Sequence, residues 1–190
     1  MEVLATEIPD VKIVIPKVFG DVRGYFFESW NQAKFEECGI ACSWVQDNES
    51  KSRFGVLRGL HYQAAPYTQA KLVHVMQGKV LDIVVDIRRG SPTFGRHIAV
   101  ELSGENKHQL FIPRGFAHGF AVLSDEVLFA YKCDNRYMPS HERGIAFDDP
   151  ALGIDWKIDL NNCILSDKDR KNPKFADAEL FDFNTKEYLA

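Results

Sequence analysis

The apolar positions of this chain gather in short runs with turn residues between them. KIVIPKVF (12–19) ends at Gly20-Asp21, and GYFFES (24–29) follows. Then come SWVQDN (43–48), FGVLRGLHYQ (54–63), KLVHVM (71–76), KVLDIVVDI (79–87), RHIAVEL (96–102), HQLFIP (108–113), HGFAVL (118–123) and EVLFAYKC (126–133). The breaks are turn chemistry: Gln77-Gly78, Arg89-Gly90-Ser91-Pro92, Ser103-Gly104-Glu105-Asn106 and Ser124-Asp125. Short strands at regular spacing, without long helical patterns between them, predict an all-β sandwich or barrel whose pairings are mostly antiparallel. One short helix is expected over 31–38, with Asn31 as cap and Gly39 as stop.

The clearest period-two stretch is 80–87. Leu81, Ile83, Val85 and Ile87 share one face; Asp82, Val84 and Asp86 share the other. Two carboxylates at i and i+4 on one strand face either point to water or line a polar cavity; from this stretch alone they are expected to face water. Beyond Cys133 the chain turns polar. Ile154-Asp155-Trp156 offers an apolar anchor, Ser166 to Arg170 reads as a capped helical turn ending before Pro173, and 174–190 is a tail that either packs or frays. The reading is one domain over 1–190, the tail included.

Charge and composition narrow the function. The 190 residues carry a net charge of −4, against the basic surplus of a nucleic-acid binder. No apolar run approaches the roughly 18 residues of a membrane span, and the first residues, MEVLATEIPDVK, do not read as a secretory signal. Cys38, Cys42, Cys133 and Cys163 match neither a disulfide framework nor a zinc site, so reduced thiols in a cytoplasmic protein are expected.

Four constellations can carry chemistry. In Arg58-Gly59-Leu60-His61-Tyr62-Gln63, strict alternation puts Arg58 and His61 on opposite faces; joint action needs Gly59 to bend the strand. Such a histidine is suited to act as a base. Pro113 to His118 reads P-x-G-x-x-H, half of the metal motif of cupin barrels. The other half, H-x-H, is reduced to His61-Tyr62-Gln63, and His74 reads as packing beside Leu72 and Met76. Arg23, Arg58 and Lys71, with Phe26, Gln46 and Asn48, fit a nucleotide pocket: cations for phosphate, a ring for stacking, amides for a base edge. Tyr131 shares strand parity with Val127 and Phe129, and Asp169 sits in the capped turn.

Taken together, GVLRGLHYQ (55–63), QAKLVHVMQGKVLDIVVDIRRGSPTFG (69–95), IPRGFAHGFAVLS (112–124), YKCDNRYMP (131–139), DDPALGIDW (148–156) and LSDKD (165–169) resemble the dTDP-4-dehydrorhamnose 3,5-epimerase family. VFGDVRGYFFESW (18–30) and VQDNESKS (45–52) extend the resemblance to about residues 8–173. It implies a cupin-like jelly roll with a few short helices, a homodimer, no metal or other cofactor, and a dTDP-4-keto-6-deoxyhexose epimerised at C3 and C5 toward dTDP-L-rhamnose. Carried over position by position, His61 is the base, Asp169 orients it, Tyr131 is the acid on the opposite ring face, and Lys71 stabilises the enolate. Arg58 and His118 hold the diphosphate, Gln46 and Asn48 face the thymidine, and Glu142 and Lys168 line the rim. Arg23, Phe26 and Glu28 reach the nucleotide across the dimer. Glu49 stands where a histidine is common in the family, and Arg136 replaces an aromatic or small residue beside Tyr137. The competing readings are a C3-only epimerase on the same scaffold, a metal-dependent cupin enzyme, opposed by the missing H-x-H, and a silent sugar-nucleotide binding module.

Overall fold

Each of the eight apolar runs between residues 43 and 133 gives a strand in the computed structural model, which describes residues 1–189. Ala190, the last residue of the expected tail, lies outside the described residues. The elements are β1 (Glu2–Ala5), β2 (Lys12–Ile15), β3 (Phe19–Asp21), β4 (Gly24–Phe26), α1 (Gln32–Glu37), β5 (Gln46–Arg53), β6 (Leu57–Gln63), β7 (Lys71–Gln77), β8 (Lys79–Asp86), β9 (Arg88–Arg89), β10 (His97–Ser103), β11 (Gln109–Ile112), β12 (Phe116–Val122), β13 (Glu126–Cys133), β14 (Glu142–Gly144) and β15 (Phe181–Asp182). Helix α1 starts as expected: the Asn31 side chain accepts from the Lys34 N–H, and Gly39 takes a positive φ of 73° just past the end.

Two antiparallel sheets carry the fold. One has the order β1-β2-β11-β7-β13-β5, the other β10-β8-β12-β6-β14. Val73, Val75 and Phe129 of the first meet Val80, Val84, Phe120 and Val122 of the second in one buried cluster, which is the sandwich interior. This is the cupin-like jelly-roll β-sandwich that the run spacing and the resemblance lead to. Each sheet also has a covered outer face. Phe35 and Ile40 pack on Val14, Leu72 and Phe111, while Trp156, Ala178, Phe181 and Tyr188 pack on Leu81, Ile83, Val85 and Ile87. The C-terminal segment therefore packs: Thr68 Oγ1 donates to the Tyr188 carbonyl at 2.7 Å, and β15 pairs in parallel with β9.

That second layer corrects the reading of β8. Asp82 and Asp86 do not face water; both are fully buried. The tail covers the Leu81 face, which leaves the aspartate face looking into the sandwich, and alternation alone cannot reveal that both faces are covered. Asp86 is matched by hydrogen bonds. It accepts from Arg88 Nε and Nη2 at 2.8 Å each and from Ser91 Oγ and Thr93 Oγ1 at 2.6 Å each. Burial alone would raise its pKa; these donors hold it below the ordinary carboxylate value. Asp82 has a different partner, described below.

The β3–β4 hairpin stands away from the sandwich. Phe19, Tyr25 and Phe26 are exposed, and Val22 at its tip is fully so. Lys107 Nζ donates to the Tyr25 hydroxyl at 2.9 Å and lies 4.3 Å from the centre of its ring, anchoring one side of the hairpin.

Candidate active site

A cavity of about 660 Å³ opens between the two sheets. It draws Gln46 and Asn48 from β5, Arg58 and His61 from β6, Lys71 from β7, His118 from β12 and Tyr131 from β13. Glu142, Lys168 and Asp169 close one side. Arg58 and His61 share it because the β6–β12 ladder slips. His118 pairs with His61 and Phe120 with Arg58, so Gly59 and Leu60 of β6 stand opposite Gly119 alone on β12. Glycines permit the slip: Gly59 has a φ of +124°, and a Cβ on it would sit 2.5 Å from the Gly119 Cα. A Cβ on Gly119 would in turn lie 2.7 Å from the Arg58 carbonyl oxygen.

His61 Nε2 lies 2.5 Å from Asp169 Oδ1. The capped turn delivers that carboxylate, since the Asp169 N–H donates to Ser166 Oγ at 3.1 Å. Asp169 is buried. Burial by itself would raise its pKa, but the hydrogen bond from His61, the imidazole charge and donation from Ser166 and the Gly59 backbone hold it down. The ionised carboxylate fixes Nε2 as the protonated nitrogen and leaves Nδ1 basic, an arrangement suited to proton abstraction.

Across the cavity, Lys71 Nζ lies 5.9 Å from the centre of the Tyr131 ring. Burial pushes the Lys71 ammonium down, against the attraction of Cys133, Asp82 and Glu142. Burial pushes the Tyr131 phenol up, so that it keeps its proton. His118 is buried, and its Nε2 lies 3.0 Å from both carboxylate oxygens of Asp82. At the rim, Glu142 Oε2 accepts from Lys168 Nζ at 2.7 Å and from the Tyr137 hydroxyl at 2.9 Å. The Gln46 and Asn48 amides are 2.9 Å apart, and Arg58, at the exposed end, donates to Ser52 Oγ.

Three expected site residues do not reach this cavity within one chain. Phe26 is on the exposed hairpin; Arg23 is at its turn, paired with Asp21; Glu28 follows it, paired with Lys34 at 2.7 Å. The two departures from the family pattern also lie off the cavity: Glu49 is exposed on the face opposite Asn48, and the Arg136 guanidinium lies over the Tyr67 ring at 5.4 Å. His74 shares the outward parity of Leu72, away from His61 and His118. Among the described residues no group of three His, Cys, Asp or Glu side chains is arranged to hold a metal. Sequence reading missed Asp82 and Tyr137. The parity of Asp82 with Val84 was visible, but whether that face was inside was not.

The family model described as dTDP-4-dehydrorhamnose 3,5-epimerase matches residues 5–177. The chain belongs to this family. A relative in Shigella flexneri named dTDP-4-dehydrorhamnose 3,5-epimerase is 57% identical over 182 residues, covering 95% of this chain and 99% of the relative. One of the same name in Pseudomonas aeruginosa is 53% identical over the same shares. Among solved structures, the dTDP-6-deoxy-D-glucose-3,5-epimerase of Legionella pneumophila, in complex with dTDP-4-keto-L-rhamnose, superposes with a TM-score of 0.92 at 48% identity over 96% of this chain and 98% of the other. A 3'-monoepimerase of Streptomyces bikiniensis in complex with dTDP-quinovose gives 0.89 at 32% identity, covering 98% and 99%. Epimerases of one and of two centres thus share this fold.

Proposed function

We propose that this epimerase inverts C3 and C5 of dTDP-4-keto-6-deoxy-D-glucose by proton abstraction and return. The observation that carries the reading is the convergence of His61 with its buried carboxylate, Tyr131 and Lys71 on one cavity of sugar-nucleotide size. Both carbons flank the C4 ketone, so one enolising apparatus serves both in successive cycles. In each cycle His61 Nδ1 takes the proton from one face, and the electron pair moves onto the C4 oxygen. Lys71 stabilises the negative charge there. The Tyr131 hydroxyl delivers a proton to the opposite face, which inverts the centre. Proton exchange with water resets both groups. Asp169 orients His61 and balances the imidazolium as it forms.

Gln46 and Asn48 take the thymidine end, and Glu142 and Lys168 form the rim beside it. Arg58, at the exposed end, takes the diphosphate. The resemblance pairs His118 with Arg58 in that role, but its burial beside Asp82 favours the sugar end instead. The exposed hairpin supports a homodimer in which Arg23, Phe26 and Glu28 reach the partner's cavity; a monomer mass in sedimentation at micromolar concentration would contradict this. The four free cysteines suit a reducing compartment, and we read the protein as cytoplasmic.

In D₂O the wild-type protein should wash deuterium into both C3 and C5, read by NMR. Label at C3 alone would make it a monoepimerase, and no label would reject catalysis.

A further inference from the structure

Asp82 is fully buried on β8, and its side chain does not line the cavity. It meets the cavity through His118, whose Nε2 it holds between its two oxygens. A carboxylate with room for about four donors and one N–H in place is a costly occupant of a sandwich interior. Its neighbours on the same face, Val80 and Val84, show what packing alone would select there. The pair is therefore poorly explained by stability and better explained by the site.

His118 is registered directly opposite His61. Two imidazoles thus stand side by side on neighbouring strands, each backed by a buried carboxylate, Asp169 behind His61 and Asp82 behind His118. The His118 ring is stacked on Phe129 with centroids 6.2 Å apart and planes 24° apart, which sets its plane. The titratable groups around it are Asp82 on β8, Lys71 on β7 and His61 on β6; burial pushes the Asp82 carboxyl up, against the pull of His118 and Lys71. Burial does most to lower its pKa, Asp82 opposes that, and positive charge on Lys71 and His61 adds to the lowering.

We propose that Asp82 is a positioning residue for enolisation: it holds His118 with Nε2–H turned into the protein and Nδ1 turned to the sugar, and its charge lets His118 keep a second proton there as the C4 oxygen becomes negative. The proposal rests on the epimerase reading of the cavity. No covalent bond changes at His118. Its Nδ1–H donates a hydrogen bond to the enolate oxygen beside Lys71, and the proton stays on the ring when the ketone re-forms.

The test is Asp82→Asn, which keeps the side-chain shape and removes the charge. Its kcat for exchange at C3 and C5 should fall about 10²-fold with KM within about threefold. The double variant Asp82→Asn/His118→Gln should be no slower than His118→Gln alone, because Asp82 acts through that ring. Wild-type kcat in Asp82→Asn, or a double variant that loses the product of the two single effects, would overturn the proposal. If Asp82→Asn does not fold, ¹⁵N NMR of the His118 imidazole in the wild-type protein with dTDP decides. A proton retained on Nε2 supports the pair, and a bare Nε2 overturns it. Wild-type exchange in the same assay separates the two levels. Loss of label in the variant alone concerns Asp82, whereas its absence in the wild type removes the epimerase reading and this proposal with it.

Discussion

His61→Ala should abolish deuterium exchange at both C3 and C5, with a loss of about 10⁴-fold or more. The expectation follows from geometry. The imidazole has a buried carboxylate on Nε2 and faces the cavity with the nitrogen left basic. Tyr131 is a phenol held protonated by burial, and Asp169 is committed to the His61 ring, so neither replaces the base. The loss should be equal at the two carbons, because one base serves both. Exchange that survives at either carbon would show a second base. A melting curve accompanies the assay, since removing the imidazole takes one partner from the buried Asp169.

Tyr131→Phe should separate two events that the wild type joins. The ring stays packed near Phe129, 6.1 Å away between centroids, while the hydroxyl is lost. His61 still removes a proton and, in D₂O, returns a deuteron to the same face. Recovered substrate should therefore gain label with its configuration kept, while inverted product falls about 10²-fold to 10⁴-fold. Unchanged product yield would take Tyr131 out of the acid role. The pH dependence has a defined sign. Burial raises the Tyr131 phenol above its ordinary value of about 10 and lowers the Lys71 ammonium below its ordinary value of about 10.4. Loss of the Lys71 charge as pH rises should lower proton abstraction, and because this step does not use the phenol, the alkaline fall should persist in Tyr131→Phe.

The strands were legible because their apolar runs are short and their turns carry glycine, asparagine and serine. The helix was legible from its cap at Asn31. The aspartates of β8 were not. A strand buried on one face and one buried on both differ here by what 156–188 does, and that segment shows no periodicity that would announce its packing on Leu81 and Ile83. The convergence of Arg58 with His61 was legible only as a condition on Gly59. The residue that makes room for the slip is Gly119, on the neighbouring strand and far away in sequence. Roles for His61, Tyr131, Lys71 and Asp169 came from the family resemblance; spacing alone placed none of them in a common cavity. Asp82 showed in the strand pattern as a carboxylate for water or for a polar cavity, alternation alone does not choose between them, and it lies outside the residues carried over.

Inversion requires a sugar ring held with an imidazole on one face and a phenol on the other. A crystal structure of the protein with dTDP-4-keto-6-deoxy-D-glucose, or its reduced analogue, measures this directly. The expected result has His61 Nδ1 and the Tyr131 hydroxyl on opposite faces of the hexose within proton-transfer reach of C3 or C5, and Lys71 Nζ at the C4 oxygen. A hexose with both groups on one face, or bound outside the cavity between the sheets, would contradict it.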